Sequence, residues 1–210
     1  MHVETAKVTV GPWSGGQREL VARAREGQDD AREALAAQCR QTAYTFALQL
    51  LGDPDDALDV AQESVLRFFL KLRRFDPSRP LRPWLLTIVR NQVRDLWRRR
   101  RVRRADSLDD QDADLSREVV DPTADPERDA SRVELRRRLW RALSALPPKL
   151  REILVLRDYH DLSYSEIAGV LEIPAGTVMS RLHRARAELR RQLGDERGGL
   201  RPSIDERTGG

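Results

Sequence analysis

Residues Leu162 to Leu193, LSYSEIAGVLEIPAGTVMSRLHRARAELRRQL, constrain the fold more tightly than any other stretch. Apolar residues recur at helical spacing, break at EIPAG and resume among arginines. Ser163 and Glu166 have capping-box spacing, in which serine accepts from the third amide of a helix and glutamate returns the bond. Ile167, Ala168 and Leu171 then face inward, and the small Ala168 suits the close approach of a crossing helix. Ile173 tucks in behind them, and Pro174 bars regular helix upstream. A second helix starts near Gly176 or Thr177. Its Val178, Leu182, Ala185 and Leu189 fall at separations of four, three and four, an inner face. Ser180, Arg181, Arg184 and Arg191 lie largely outside. A tight helix pair whose second member carries arginines outward is the signature of a helix-turn-helix, with a merely packed hairpin as the alternative.

Upstream of this pair, Leu135, Leu139, Ala142, Leu143 and Leu146 make one amphipathic face from about Arg132 onward. Pro147 and Pro148 stop that helix, and Pro148 suits the first turn of the next. Leu150, Ile153, Leu154 and Leu156 extend the apolar content to HDLS, which prepares the capping box.

The front half is helical as well. Strong helix formers dominate Arg18 to Leu51, punctuated by GQDD, and Leu35, Cys39, Thr42, Phe46 and Leu50 form a buried stripe. GDPDD then breaks the chain, and Pro54 with its acidic followers suits a new helix start. That helix runs to about Leu72. Ala57, Val60, Ala61, Val65, Phe68 and, in part, Phe69 form its core face, and Asp59, Gln62, Glu63 and Arg67 its other face. Asp59 and Glu63 project together, four residues apart, as either a solvated face or a protein-docking face. Pro77, Pro80 and Pro83 in FDPSRPLRPW prevent continuous helix. The stiff loop leads into WLLTIVRNQVRDLWRRRRVRR, with Leu85, Ile88, Val89, Val93 and Leu96 at core spacing and Arg90, Arg94 and Arg98 on the exposed side. Aromatic rings and arginines beside such a loop suit unpaired bases and phosphate. Equally, Trp84 can close the core and Trp97 pack at a helix end.

Charge divides the chain. Residues 17–104 carry 19 Arg or Lys against 12 Asp or Glu, residues 105–131 carry two arginines against ten acids, and residues 132–194 carry 13 basic against seven acidic groups. Basic helices on either side of an acidic, proline-containing stretch suggest two domains on a flexible tether, with a polyanion as partner. The single cysteine, Cys39, permits no internal disulfide or cysteine zinc site, and no long apolar run suggests a leader or membrane span. A reducing cytoplasm fits. Three histidines, none in H-E-x-x-H, and the lack of G-x-S-x-G or a nucleotide-binding glycine loop argue against an enzyme. Asp109, Asp110, Asp112 and Asp114 bind a divalent ion weakly at most; no cofactor or metal is expected.

The ordered pair DVAQESVLRFFLKLRRFDPSRPLRPWLLTIVRNQVRDLWRRR and ALSALPPKLREILVLRDYHDLSYSEIAGVLEIPAGTVMSRLHRARAEL resembles the bacterial sigma-70 family of RNA polymerase sigma factors, in particular its extracytoplasmic-function group. The resemblance covers about residues 17–193. It implies an all-α protein of two small helical domains joined by an acidic flexible linker, the second containing a helix-turn-helix. The bounds expected are a flexible arm (1–16), a region 2-like domain (17–104), the linker (105–131), a region 4-like domain (132–193) and a polar tail (194–210). By resemblance, Asp59, Gln62, Glu63 and Arg67 dock on core RNA polymerase. Phe75, Asp76, Ser78, Arg79, Leu81 and Trp84, with Arg90, Asn91 and Arg94 of the following helix, meet promoter DNA opened near −10. Thr177, Ser180, Arg181, His183 and Arg184 meet the −35 element. The implied function is transcription initiation in the cytoplasm with core polymerase and promoter DNA as partners, an anti-sigma factor as a regulator, and no membrane insertion of the chain itself.

Four residues depart from the family pattern: Leu58 replaces a common acid, Leu81 a phenylalanine, Glu172 a glycine at the helix-turn-helix bend and Met179 a basic residue. Glu172 implies a slightly strained turn. A free-standing transcription regulator that dimerises through its front half, or an interaction module that sequesters another factor, are the competing readings. The free-standing regulator gives no reason for a proline-rich loop followed by six arginines in residues 98–104.

Overall fold

A computed structural model describes residues 16–106 and 130–198. The expected arm, most of the acidic linker with Asp109 to Asp114, and the end of the tail lie outside these residues. All regular structure among the described residues is helical: α1 (Gln17–Glu26), α2 (Asp29–Leu51), α3 (Pro54–Lys71), a single 3₁₀ turn (Leu72–Arg74), α4 (Leu81–Asp106), α5 (Ala130–Ser144), α6 (Pro148–Asp158), α7 (Tyr164–Leu171) and α8 (Ala175–Gly198). Helices α1 to α4 form the front unit and α5 to α8 the back unit, and the two pack together through α2 against α6 and α4 against α7.

The breaks fall where backbone chemistry demands them. Gly27 and Gly52 end α1 and α2 in the left-handed conformation, with φ of 94° and 73°. Asp53 caps α3 by accepting from the Asp56 amide at 2.9 Å, and Pro54 occupies the first turn. The capping box of α7 is complete: Ser163 Oγ accepts from the Glu166 amide at 3.3 Å, and Glu166 accepts from the Ser163 amide at 2.8 Å. Pro148 opens α6.

The stripe of α2 is buried from Leu35 through Cys39, Thr42 and Phe46 to Leu50, and meets Ala57, Val60, Ala61 and Phe68 of α3. Leu85, Ile88, Val89 and Val93 of α4 complete the front core. In the back unit, Leu143, Leu146, Ile153, Leu156, Ile167, Val178, Leu182 and Ala185 are buried together. The sequence pattern misassigns Leu135, which is 61% exposed in the first turns of α5. Its spacing to Leu139 is right, but α5 reaches beyond the helices that cover Ala142 and Leu143. Burial holds Cys39 as a thiol by pushing its pKa far up.

Glu172, at the end of α7, has φ 56° and ψ 46°, so a side chain occupies a left-handed position that favours glycine. The strain expected there from sequence therefore has a geometric basis. Glu172→Gly is expected to stabilise the fold by about 0.5–1 kcal/mol, because relief of a strain of ~1–2 kcal/mol exceeds the added backbone entropy of glycine. A higher urea midpoint at unchanged slope checks this. A lower midpoint would mean that the Glu172 side chain holds the turn by contacts worth more than the strain.

Candidate nucleic-acid interface

Three surfaces collect the residues singled out by sequence. The first is the outer face of α3. Asp59, Gln62, Glu63 and Arg67 are all exposed. Arg67 Nε donates to Glu63 Oε1 at 2.6 Å, one turn apart, so the row is held as a charged ridge. Beside it runs a second row that the sequence reading does not pick out: Leu58, Leu66 and Leu70 are 49%, 57% and 74% exposed. These leucines share the four-residue register of Gln62. A helix that spends three leucines on solvent while packing its other side carries an apolar surface suited to another protein.

The second surface is the loop between α3 and α4. Phe75 and Leu81, its two ends, are buried, while Asp76, Ser78 and Arg79 are exposed. Asp76 Oδ1 accepts from the Ser78 amide at 2.9 Å, and the Ser78 hydrogen bonds hold the Asp76 carboxyl below its usual pKa. Phe75 stacks on Trp84 with centroids 4.6 Å apart, and Trp84 lies against Phe68 at 4.9 Å. Trp84 is therefore a half-buried anchor of the loop. A pocket of about 450 Å³ opens between the loop and the start of α1, lined by Phe75, Ser78, Arg79 and Leu81 on one side and Gln17, Arg18 and Val21 on the other. The Gln17 amide nitrogen is buried without a hydrogen-bond partner among the described residues. The contribution of α1 escapes a reading of the sequence because some 60 positions separate Gln17 from Ser78, and they meet only because α1 packs on α2 and on the 3₁₀ turn, where Arg25 donates to the Leu72 and Phe75 carbonyls.

The arginines of α4 part company. Arg94 is exposed beside Asn91. Arg90, expected on the same outer face, is only 5% exposed and points into the back unit. Its Nε donates to Glu152 Oε2 at 3.3 Å, and its two terminal nitrogens donate to the Val170 carbonyl at 2.9 Å and the Leu171 carbonyl at 3.3 Å. Those carbonyls end α7, where an arginine satisfies acceptors that the helix leaves open. Farther along, Arg100 pairs with Asp56 at the start of α3, and Arg98 with Asp95 of its own helix.

The third surface is α8. Val178, Leu182 and Ala185 are buried, whereas Ser180, His183 and Arg184 are exposed, with Thr177 and Arg181 half-buried at the edge. Ser180 Oγ donates to the Thr177 carbonyl at 3.1 Å. Arg186 is drawn aside to Asp158 at 2.7 Å and Arg191 to Glu188 at 3.1 Å. Met179 is 66% exposed at the start of the helix. Among the described residues, no group of His, Cys, Asp and Glu is placed to hold a metal ion, and no helix is long and apolar enough to cross a membrane.

Comparison with known proteins joins the first two surfaces to one family element and the third to another. The model of Sigma-70 region 2 matches residues 35–103, and that of Sigma-70, region 4 matches residues 136–189. The chain is 36% identical over 178 residues to the RNA polymerase sigma factor CnrH of Cupriavidus metallidurans, covering 82% of this chain and 91% of that protein. It is 29% identical over 181 residues to the ECF RNA polymerase sigma factor SigW of Bacillus subtilis, covering 85% and 97%. The structure of CnrH in complex with the cytosolic domain of CnrY superposes with a TM-score of 0.63 at 29% identity, over 86% of this chain and 99% of that one. The chain thus belongs to the extracytoplasmic-function group of sigma-70 RNA polymerase sigma factors, proteins that recognise promoters together with core polymerase and are not themselves enzymes.

Proposed function

We propose that this sigma factor divides promoter work among its three surfaces. The α3 face, with Asp59, Gln62, Glu63 and Arg67 beside Leu58, Leu66 and Leu70, docks on core RNA polymerase. The α3–α4 loop and the Asn91–Arg94 side of α4 hold DNA opened near −10. Helices α7 and α8 act as a helix-turn-helix whose second member reads −35 through Thr177, Ser180, Arg181, His183 and Arg184. The observation that supports this most is the division within α8: Val178, Leu182 and Ala185 are buried, while Ser180, His183 and Arg184 face outward with Arg181 half-buried at their edge. No catalytic side chain is required, because binding energy places the polymerase and stabilises the opened strands. The factor works in the cytoplasm. CnrH is solved with the cytosolic domain of CnrY, and an anti-sigma factor that competes for the apolar row of α3 is the corresponding partner class here.

The docking assignment is tested by charge reversal. Asp59→Arg with Glu63→Arg turns two exposed carboxylates into cations without touching the core. Loss of co-purification with core polymerase by about tenfold or more is expected, since like-charge juxtaposition at an interface costs several kcal/mol. Binding of a −35 duplex by the same variant should be unchanged. Wild-type polymerase affinity would place the docking surface elsewhere.

The −35 assignment rests on Arg181 and Arg184, three residues apart on α8. One is expected to bridge guanine O6 and N7, and its alanine variant to lose about 1–3 kcal/mol of discrimination between matched and mismatched duplexes. The other is expected to hold phosphate, so that its variant weakens all duplexes alike and lowers the salt slope by about one. Folded variants with unaltered affinity and discrimination would make α8 a packing helix with a charged exterior.

A further inference from the structure

The two units meet across a seam of buried polar groups, most of them paired across it, though the Arg82 Nε has no partner among the described residues. At one end stands Arg90, donating to Glu152 and to the last carbonyls of α7. In the middle His160, in the connection between α6 and α7, is 1% exposed and lies wholly between the units. Its Nε2 is 2.9 Å from Gln49 Oε1 of α2, and its Nδ1 is 3.0 Å from an Arg82 guanidinium nitrogen of α4. Phe46 of α2 meets the ring edge-on at 5.1 Å. At the other end Arg151 of α6 donates to the Leu50 carbonyl of α2 at 2.6 Å. Each side thus inserts an arginine into the other side's helix end.

The chemistry at His160 fixes its charge. Gln49 Oε1 can only accept and Arg82 can only donate, so the ring must carry its proton on Nε2 and accept at Nδ1. That is the neutral imidazole. A second proton, on Nδ1, would point at a guanidinium and lose its hydrogen bond. The groups facing the ring are Gln49 and Phe46 from α2 and Arg82 from α4; Tyr159 and Asp161 flank it in the chain, and Asp161 and Glu166 act on Arg82 rather than on the ring. Among the described residues, no carboxylate is in place to reward a positive charge there.

We infer that this seam is a latch that keeps the sigma factor closed with Arg90 withheld from DNA, and that protonation of His160 releases it. Glu152, Gln49 and Arg82 are positioning residues of the latch. Masking of promoter contacts by Arg90 rests on the function proposed above; the latch itself does not. Burial, and then the Arg82 charge, lower the His160 pKa to about 3 in the closed form. In an opened chain the ring regains an ordinary value near 6.5. The open form therefore binds the proton and the closed form does not. Closure is at full strength above about pH 6.5 and weakens by roughly tenfold for each pH unit below it. The reader face of α8 stays exposed in the closed form, so release changes the front unit's access to DNA and leaves the α8 face as it was.

The test titrates the imidazoles of the full chain by NMR. There are three histidines, and the His160 signal is assigned by its loss in His160→Gln. His160 is expected to stay neutral through pH 5.5, well below the ordinary imidazole midpoint near 6.5. In Glu152→Ala, and independently in Gln49→Ala, its midpoint should rise toward that ordinary value as the seam opens. A His160 midpoint near 6.5 in the wild type, or one that neither variant moves, would overturn the latch. A second arm uses a labelled pool of random-sequence single-stranded DNA. Glu152→Ala should bind it more tightly than wild type at pH 7.5. Wild type should gain more than His160→Gln on passing from pH 7.5 to 5.5, with His183 common to both; equal gains would refute acid release. Seam opening seen by NMR without any gain in DNA binding would strike the assignment of Arg90 to DNA and leave the latch standing.

Discussion

Every helix end leaves carbonyls without partners, and in this chain arginine supplies many of them. Arg90 closes α7; Arg151 donates to the Leu143 carbonyl at 3.0 Å and to the Leu146 carbonyl at 3.2 Å behind α5, and also to Leu50 of α2. Arg25 holds the Leu72 carbonyl beside the 3₁₀ turn, and Arg157 the Leu162 carbonyl ahead of α7. Guanidinium suits the task because its planar fork donates to several oxygens at once and keeps its charge when desolvated. Burial lowers the Arg151 pKa, but from a starting value so high that the group stays a cation. The order of the helices in space depends on these caps, since Arg90 and Arg151 each join helices that are far apart in sequence.

This dual use of arginine explains what the sequence shows and what it hides. Periodicity alone locates the buried stripe of α2, the core of α4 and the inner face of α8, because those residues pack within or between neighbouring helices. The capping box at Ser163 and the helix starts at Pro54 and Pro148 are equally legible, being local devices. Arg90 is not. Nothing within a few residues of it distinguishes a guanidinium bound for phosphate from one bound for Glu152 and α7, 62 to 81 positions away. The exposed leucines of α3 are hidden for a related reason. A leucine at helical spacing reads as core, and only the packing of α2 and α4 decides which of two apolar rows is covered. Leu135 shows the converse, a core-like spacing with no neighbour to cover it.

The buried Arg90–Glu152 pair also has to be weighed as energy. Moving both charges out of water costs several kcal/mol per ion, and their attraction offsets this only when remaining hydrogen bonds are satisfied. Arg90 meets that condition through two carbonyls. Such a pair adds little net stability compared with apolar packing, but it is selective: removing one partner leaves a buried charge uncompensated, at a cost of about 3–5 kcal/mol. The seam is therefore specific without being strong. That is a useful property where two units have to separate for work.

The position of the seam sets an order on that work. In the closed arrangement the outer face of α3 and the outer face of α8 are both exposed, and the buried element is one end of α4 with the α6–α7 connection. Docking on polymerase through α3, as proposed, leaves the seam untouched. Contact of Arg90 with DNA does not, because one guanidinium cannot serve both the α7 carbonyls and a phosphate. Each gain in DNA contact at Arg90 must exceed what the α7 end and Glu152 already provide. The same side chain thus links the state of the back unit to the affinity of the front one, and the link runs both ways: a strand bound along α4 stabilises the open chain to the extent that the open chain binds the strand more tightly.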